Sequence, residues 1–203
     1  MQEFEVNVIK LTDISLAQRA CSFTIGKESH ITLSKLYKYG HSPIRTQLFW
    51  IELKDIPLFV ASQLVRSHVG VQFFQISKRI DRGGEDFKEV CIDIMNNIDN
   101  PDSIIKISEL PTKFDRYAPT DLAFIINAEA LINMSHKRLC NKASIETREI
   151  VGAIKEKIKT IDPELYKHLV PMCIYRGGIC SEPNSCGLNK SEIFKKMLEN
   201  YLK

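Results

Sequence analysis

The stretch TDLAFIINAEALINMSHKRLCNKASIETREIVGAIKEKIKTI, residues 120–161, carries the strongest apolar periodicity in the chain and decides the fold class. It reads as two long helices. Thr120 or Asp121 can cap the first, which carries Leu122, Ile125, Ile126, Leu131 and Met134 and ends near Leu139. The second runs from about Ser144 to Ile161, with Ile150, Ile154, Ile158 and Ile161 on one side, charges on the other, and Pro163 as its stop. Working outward, Phe4, Val6, Val8 and Leu11 read as an opening strand, and Asp13 caps a helix over Ile14 to Cys21. Leu48 to Leu53 reads as a buried strand. Asp55 followed by Pro57 signals a helix start through Leu58, Ala61, Leu64 and Val65, ending near Arg66 before a turn at Gly70. Val71, Phe73, Gln75, Ser77 and Arg79 then share one strand face, because side chains alternate with period two. Phe23 to Tyr39 fits either element type, and Asn96 to Pro119 reads as loops around short elements. The expected fold is mixed α/β, a central sheet with long flanking helices. A main domain covers residues 1–170, and a Cys-containing tail covers 171–203.

Composition bounds the function. A chain of 203 residues, 44% hydrophobic, can bury a full core. It has no apolar run long enough to span a bilayer, and its opening MQEFEVNVIKLTD lacks the basic-then-apolar order of a secretion signal, so no membrane association and a cytoplasmic location are expected. The net charge of +3 is scattered, which argues against nucleic acid as a partner. Six cysteines are too sparse for a disulfide scaffold and leave free thiols, a metal site or a redox role.

Two constellations could carry chemistry. Gln63-Leu64-Val65-Arg66-Ser67-His68, followed by Gln75-Ile76-Ser77-Lys78-Arg79, converges donors suited to a phosphate, or forms a surface salt-bridge cluster. The second spans Asn127, Asn133, Arg138, Glu146 and Arg148. Asn127 and Arg138 could face one elongated ligand, or serve as a cap and an ordinary C-terminal cation. In the tail, Cys173, Cys180 and Cys186 with nearby His168 could bind zinc, but Cys-x6-Cys and Cys-x5-Cys spacings are wider than usual, and buried thiols in a Gly-rich tail are the alternative.

The order Arg-Ser-His at 66–68, Ser-Lys-Arg at 77–79, then Asn127, Asn133, Arg138, Ala143, Glu146 and Arg148, resembles the two signature regions of flavin-dependent thymidylate synthases, over about residues 4–165. His41-Ser42-Pro43 ahead of Phe49-Trp50-Ile51-Glu52 is similar to that family's flavin-contacting segment. A Cys-Gly tail like this one recurs in its virus-encoded members. The resemblance implies a homotetramer with FAD and nucleotide sites shared between subunits. It places the nucleotide, dUMP or dCMP, on Gln63, Arg66, Gln75, Ser77, Lys78 and Arg79, with Arg138 on the pyrimidine as the catalytic residue. It places FAD on His41, Ser67, His68, Asn127, Asn133 and Lys142. The implied reaction is C5 methylation of dUMP with methylenetetrahydrofolate and NADPH as cosubstrates and no catalytic cysteine. The alternatives are C5 hydroxymethylation or hydroxylation of dUMP or dCMP, or a silent nucleotide-binding homologue. The chain departs from the family pattern at Ser67, His68, Glu129, Lys142, Phe73 and Phe74, and the last two are expected to form an aromatic wall beside the flavin and folate.

Overall fold

The computed structural model describes residues 3–76, 92, 95–96 and 116–202. Four strands, β1 (Glu5–Lys10), β2 (Leu48–Pro57), β3 (Val71–Gln75) and β4 (Pro119–Asn127), form an antiparallel sheet in the order β1-β2-β4-β3. The helices are α1 (Ile14–Ile25), α2 (Leu33–Tyr39), α3 (Leu58–Leu64), α4 (Ala128–Arg138), α5 (Ile145–Ile161), α6 (Pro163–His168), α7 (Met172–Tyr175) and α8 (Glu192–Leu202). The mixed α/β expectation holds. No described helix is long and apolar enough to cross a membrane.

The first long helix expected over 120–139 is corrected. Its first half is β4, the strand paired with both β2 and β3. Thr120, Leu122, Phe124 and Ile126 alternate as buried residues along it. A short run of β-branched and aromatic residues satisfies both periods, and pairing on both sides selects the strand. Helix begins only where Asn127 caps it, its side chain accepting the Ala130 N–H at 2.9 Å.

The helix read after Pro57 forms as α3, from Leu58, but Asp55 does not open it. Strand β2 continues to Pro57 through a bulge between Leu53 and Ile56, where Asp55 adopts a positive φ of 56°. The Asp55 N–H donates to the Asp121 carboxylate at 3.1 Å, so Asp121 pins this bulge instead of capping a helix. The Asp13 cap forms as read, on Ser15, and Ser144 caps α5 by accepting the Thr147 N–H.

One face of the sheet carries Phe49, Ile51, Leu53, Leu122, Phe124 and Ile126 into a core with Leu64, Leu131, Met134, Ile150, Ile154 and Ile158. Helix α5 packs across β1 on that side. Asp162, after α5, is buried and accepts from Lys10 at 2.7 Å, the Tyr37 hydroxyl at 2.6 Å and the Leu165 N–H at 3.1 Å, joining β1, α2 and α6. The tail has a small cluster of its own, Val170, Ile174 and Phe194, with Cys173, Leu188, Leu198 and Tyr201 against it.

Candidate active site

The turn after α3, one face of α4 and the first residue of α7 enclose a cleft of about 540 Å³. The Ser67 N–H donates to the Leu64 carbonyl at 2.9 Å, which turns the chain and brings Arg66, Ser67, His68 and Val69 to one wall. Helix α4 supplies the facing wall through Ala130, Asn133, Met134, Lys137 and Arg138, the i, i+3, i+4 pattern of one helical face. Met172, from the tail, closes the third side. The two sequence constellations therefore meet: Arg66, Ser67 and His68 from the first, Asn133 and Arg138 from the second.

Arg138 is half-buried at the end of α4 and donates through Nη2 to the Gln63 carbonyl. Its Nε is buried without a protein partner. Burial, and then the Arg66 charge, pull the Arg138 guanidinium below its ordinary range, which marks a cationic pair beside the cleft. Gln63 also accepts the Thr147 hydroxyl through Oε1 at 3.1 Å. It thus orients Arg138 and links α3 to α5. Arg148 donates to Asn141 at 2.8 Å, and its Nε too is buried without a partner.

Other expected site residues fall differently. Asn127 caps its own helix, with its N–H donating to the Gly70 carbonyl at 3.0 Å, and it is not among the residues lining the cleft. His41 is exposed and stacks on Tyr39 with centroids 6.2 Å apart. Lys142 is exposed after α4, and Gln75 is exposed at the end of β3. Ser77, Lys78 and Arg79 lie outside the described residues. The aromatic wall is corrected by the strand's period of two: Phe73 packs on Phe124 at 5.2 Å, Phe74 packs on Trp50 at 5.7 Å from the opposite face, and neither lines the cleft.

Glu129, one of the departures from the family pattern, has a partner that the sequence did not reveal. Arg45, from the short 3-10 turn Ser42–Thr46, donates through Nε to the Glu129 carboxylate at 2.7 Å. A guanidinium is thereby held at this rim from another element.

A second chamber of about 260 Å³ shares Glu129, Asn133 and Met172 with the cleft and is lined further by Tyr37, Lys38, His136, His168, Tyr175 and Arg176. His136 is 3% exposed, stacks on Tyr175 with centroids 4.5 Å apart, and leaves Nε2 unpartnered. Burial, and then the charges of Arg176 and His168, push its imidazole down to about 4. A third, small cavity collects Cys140, Cys173, Cys180 and Cys186. Burial, and then Cys140, push the Cys173 thiol up. Among the described residues no three His, Cys, Asp or Glu side chains are already gathered around one ion position.

No family model matches the chain. A flavin-dependent thymidylate synthase of Clostridium tetani is 27% identical over 191 aligned positions, covering 76% of this chain and 76% of that protein. One from Saccharolobus solfataricus is 32% identical over 76 positions, covering 37% of this chain and 29% of that protein. The crystal structure of thymidylate synthase X from Helicobacter pylori, with FAD and dUMP, superposes with a TM-score of 0.58 over 82% of this chain and 99% of that one, at 16% identity. That likeness shows the fold.

Proposed function

We infer that this chain, a divergent member of the flavin-dependent thymidylate synthase family, is an FAD-dependent enzyme that methylates dUMP at C5, with methylenetetrahydrofolate as carbon donor and NADPH as reductant. The observation that carries this reading is the meeting of Arg66, His68, Asn133 and Arg138, two regions distant in sequence, in one cleft with an unpartnered guanidinium N–H on Arg138.

The residues present suit FAD and a nucleotide. Arg66, Lys137 and Arg138 concentrate positive charge where phosphate or a developing anion would sit, His68 and Asn133 add hydrogen-bonding groups, and the cleft continues into the second chamber, giving an elongated site. FAD, when bound, supplies the redox chemistry. The protein binds and orients. Arg138, held by the Gln63 carbonyl, faces the pyrimidine and stabilises negative charge on its carbonyl oxygen as C5 becomes nucleophilic. Arg66 raises the positive potential at the same place, and Arg66, Gln75, Ser77, Lys78 and Arg79 are the proposed phosphate contacts. His41, Ser67, His68, Asn127, Asn133 and Lys142 are the proposed flavin contacts, those outside this cleft acting across a subunit boundary.

A homotetramer is the proposed assembly. The outer face of the sheet supports it: Ile9, Trp50 and Ile125 stand in one cross-strand row, Phe74 packs on Trp50, and Ile9 and Phe74 are 47% and 48% exposed. The cytoplasm is the proposed location, and residues 1–170 the catalytic domain onto which the tail docks.

The test is product mass. Enzyme, FAD, NADPH, methylenetetrahydrofolate and dUMP should yield a nucleotide heavier by one methylene. A product carrying added oxygen, or reaction on dCMP instead, replaces methylation with hydroxymethylation or hydroxylation; FAD binding without turnover leaves a silent homologue.

A further inference from the structure

Cys140 follows the end of α4, while Cys173, Cys180 and Cys186 come from the tail more than thirty positions later in the sequence. All four line one cavity of about 10 Å³, about the room that one water-sized particle occupies. We propose that Cys140, Cys173, Cys180 and Cys186 bind one Zn(II) ion in a structural site that clamps the tail against the wall of the cleft.

The backbone explains how unusually wide spacings converge. Gly177 and Gly178, with φ of 61° and 110°, reverse the chain after α7, and the Gly178 N–H donates to the Cys173 carbonyl at 2.7 Å. Gly187, at φ 83°, turns the chain directly after Cys186. Asn189 ties the two turns, donating to the Gly178 carbonyl at 2.9 Å and accepting from Ser185 at 3.0 Å. The intervals between the cysteines are thus folded back by glycine turns, so six and five intervening residues return to one cavity as shorter loops do in ordinary zinc knuckles.

Chemistry selects the metal. Four sulfurs with no carboxylate or imidazole among them make a soft donor set, which suits tetrahedral Zn(II) and not Mg(II) or Ca(II). Binding displaces all four thiol protons and leaves a doubly negative centre. Arg148 stands one residue away, donating to Asn141, which lines the same cavity. Among the described residues no three of these side chains surround one ion position, so zinc binding requires that the sulfurs move together to reach Zn–S bonds of about 2.3 Å. The tail has a use for such a staple. Its own core contains three buried side chains, a small cluster to which a metal would add a cross-link. Met172, adjacent to Cys173, lines this cavity, the cleft and the second chamber alike. Zinc here therefore fixes one wall of the active site without entering the reaction.

Full-length protein from zinc-supplemented cultures, stripped of loose metal by a weak chelator, should retain about one zinc per chain by elemental mass spectrometry. Cys180→Ser and Cys186→Ser should each lose most of it, and Cys21→Ser, outside the cluster, should keep it. Should the cluster variants fail to fold, Co(II) reconstitution of the unaltered chain decides, through the intense visible bands and near-ultraviolet thiolate charge transfer of tetrahedral sulfur ligation. Zinc well below one per chain, octahedral Co(II) spectra, or disulfides among these four residues would each overturn the proposal. None of these readouts uses FAD or dUMP, so they stand apart from the test of methylation.

Discussion

At Arg138 one guanidinium N–H is spent on the Gln63 carbonyl while Nε points at no protein acceptor, so the side chain is both fixed in orientation and left with donors for a ligand. Arg138→Ala should lower kcat by roughly a hundred- to a thousandfold, as removal of one preorganised donor to a developing oxyanion does. Arg138→Lys should recover little of that, because a point charge cannot reach both Gln63 and the base. Steady-state kinetics check this: a raised KM at unchanged kcat would reduce Arg138 to a ground-state contact. Arg45 carries a second prediction. Its pairing with Glu129 offsets a carboxylate that borders both chambers, so Arg45→Ala should weaken FAD binding several-fold, and Glu129→Gln in that background should restore it. The check is quenching of FAD fluorescence across the double-mutant cycle; additive effects would show that Glu129 does not face the cofactor. That Arg66, Ser67, His68, Asn133 and Arg138 line one cleft could be anticipated because the motifs that carry the resemblance are local in sequence. The pairing of Arg45 could not, since its partner lies 84 positions away and only the fold brings the charges together.

The junction of β4 with α4 shows where reading elements from the chain succeeds and where it stops. Asn127 was visible as a residue that caps or binds, and the structure spends its side chain on the cap. That the eight residues before it form a strand could not be read from periodicity, because a run apolar on nearly every position suits either a buried helix or a strand with neighbours on both sides. The long helix α5 has charges on one side only, and its periodicity gives its span to within a residue. Gly70 sits across from this junction. With φ of 75° it lies where a side chain is strained, and a Cβ built there would stand 2.4 Å from Asn127 Nδ2. Gly70→Ala should therefore destabilise the protein by about 1–3 kcal/mol and displace the α4 cap. Gly40→Ala is the control, since Gly40 has a similar φ of 61° and no atom within 4 Å of its Cβ position, so only the backbone penalty remains. Urea unfolding midpoints compare the two; equal losses would mean that Asn127 moves aside without cost.

Across the whole molecule, the tail is held to the body by more than its small apolar cluster. His136 of α4 stacks on Tyr175, and His168 meets Tyr201 edge-on at 6.1 Å, so two imidazoles sit between body and tail. Both are pulled down by burial, His136 to about 4, with Arg176 and His168 adding to the effect there. The other charged groups lining that chamber are Lys38 and Glu129, and Glu129 is held by Arg45. Because the folded state resists protonation of His136 while the unfolded chain does not, the unfolded state binds more protons between about pH 4 and the ordinary value of 6.5. Stability is then complete above pH 6.5 and falls as the pH drops through that window, by up to about 1.4 kcal/mol per unit and on the order of 3 kcal/mol in all. His136→Gln removes the titrating group and should flatten this part of the curve, leaving the shallower slope that His168 contributes in the same direction. Urea midpoints measured from pH 4 to 8, with hydrogen exchange followed over residues 170–202, provide the check. The unaltered protein should lose protection first in the tail, because protonated His136 can remain only if Tyr175 and Arg176 withdraw. Parallel stability curves for the two proteins would show instead that the His136 proton is accommodated without moving the tail.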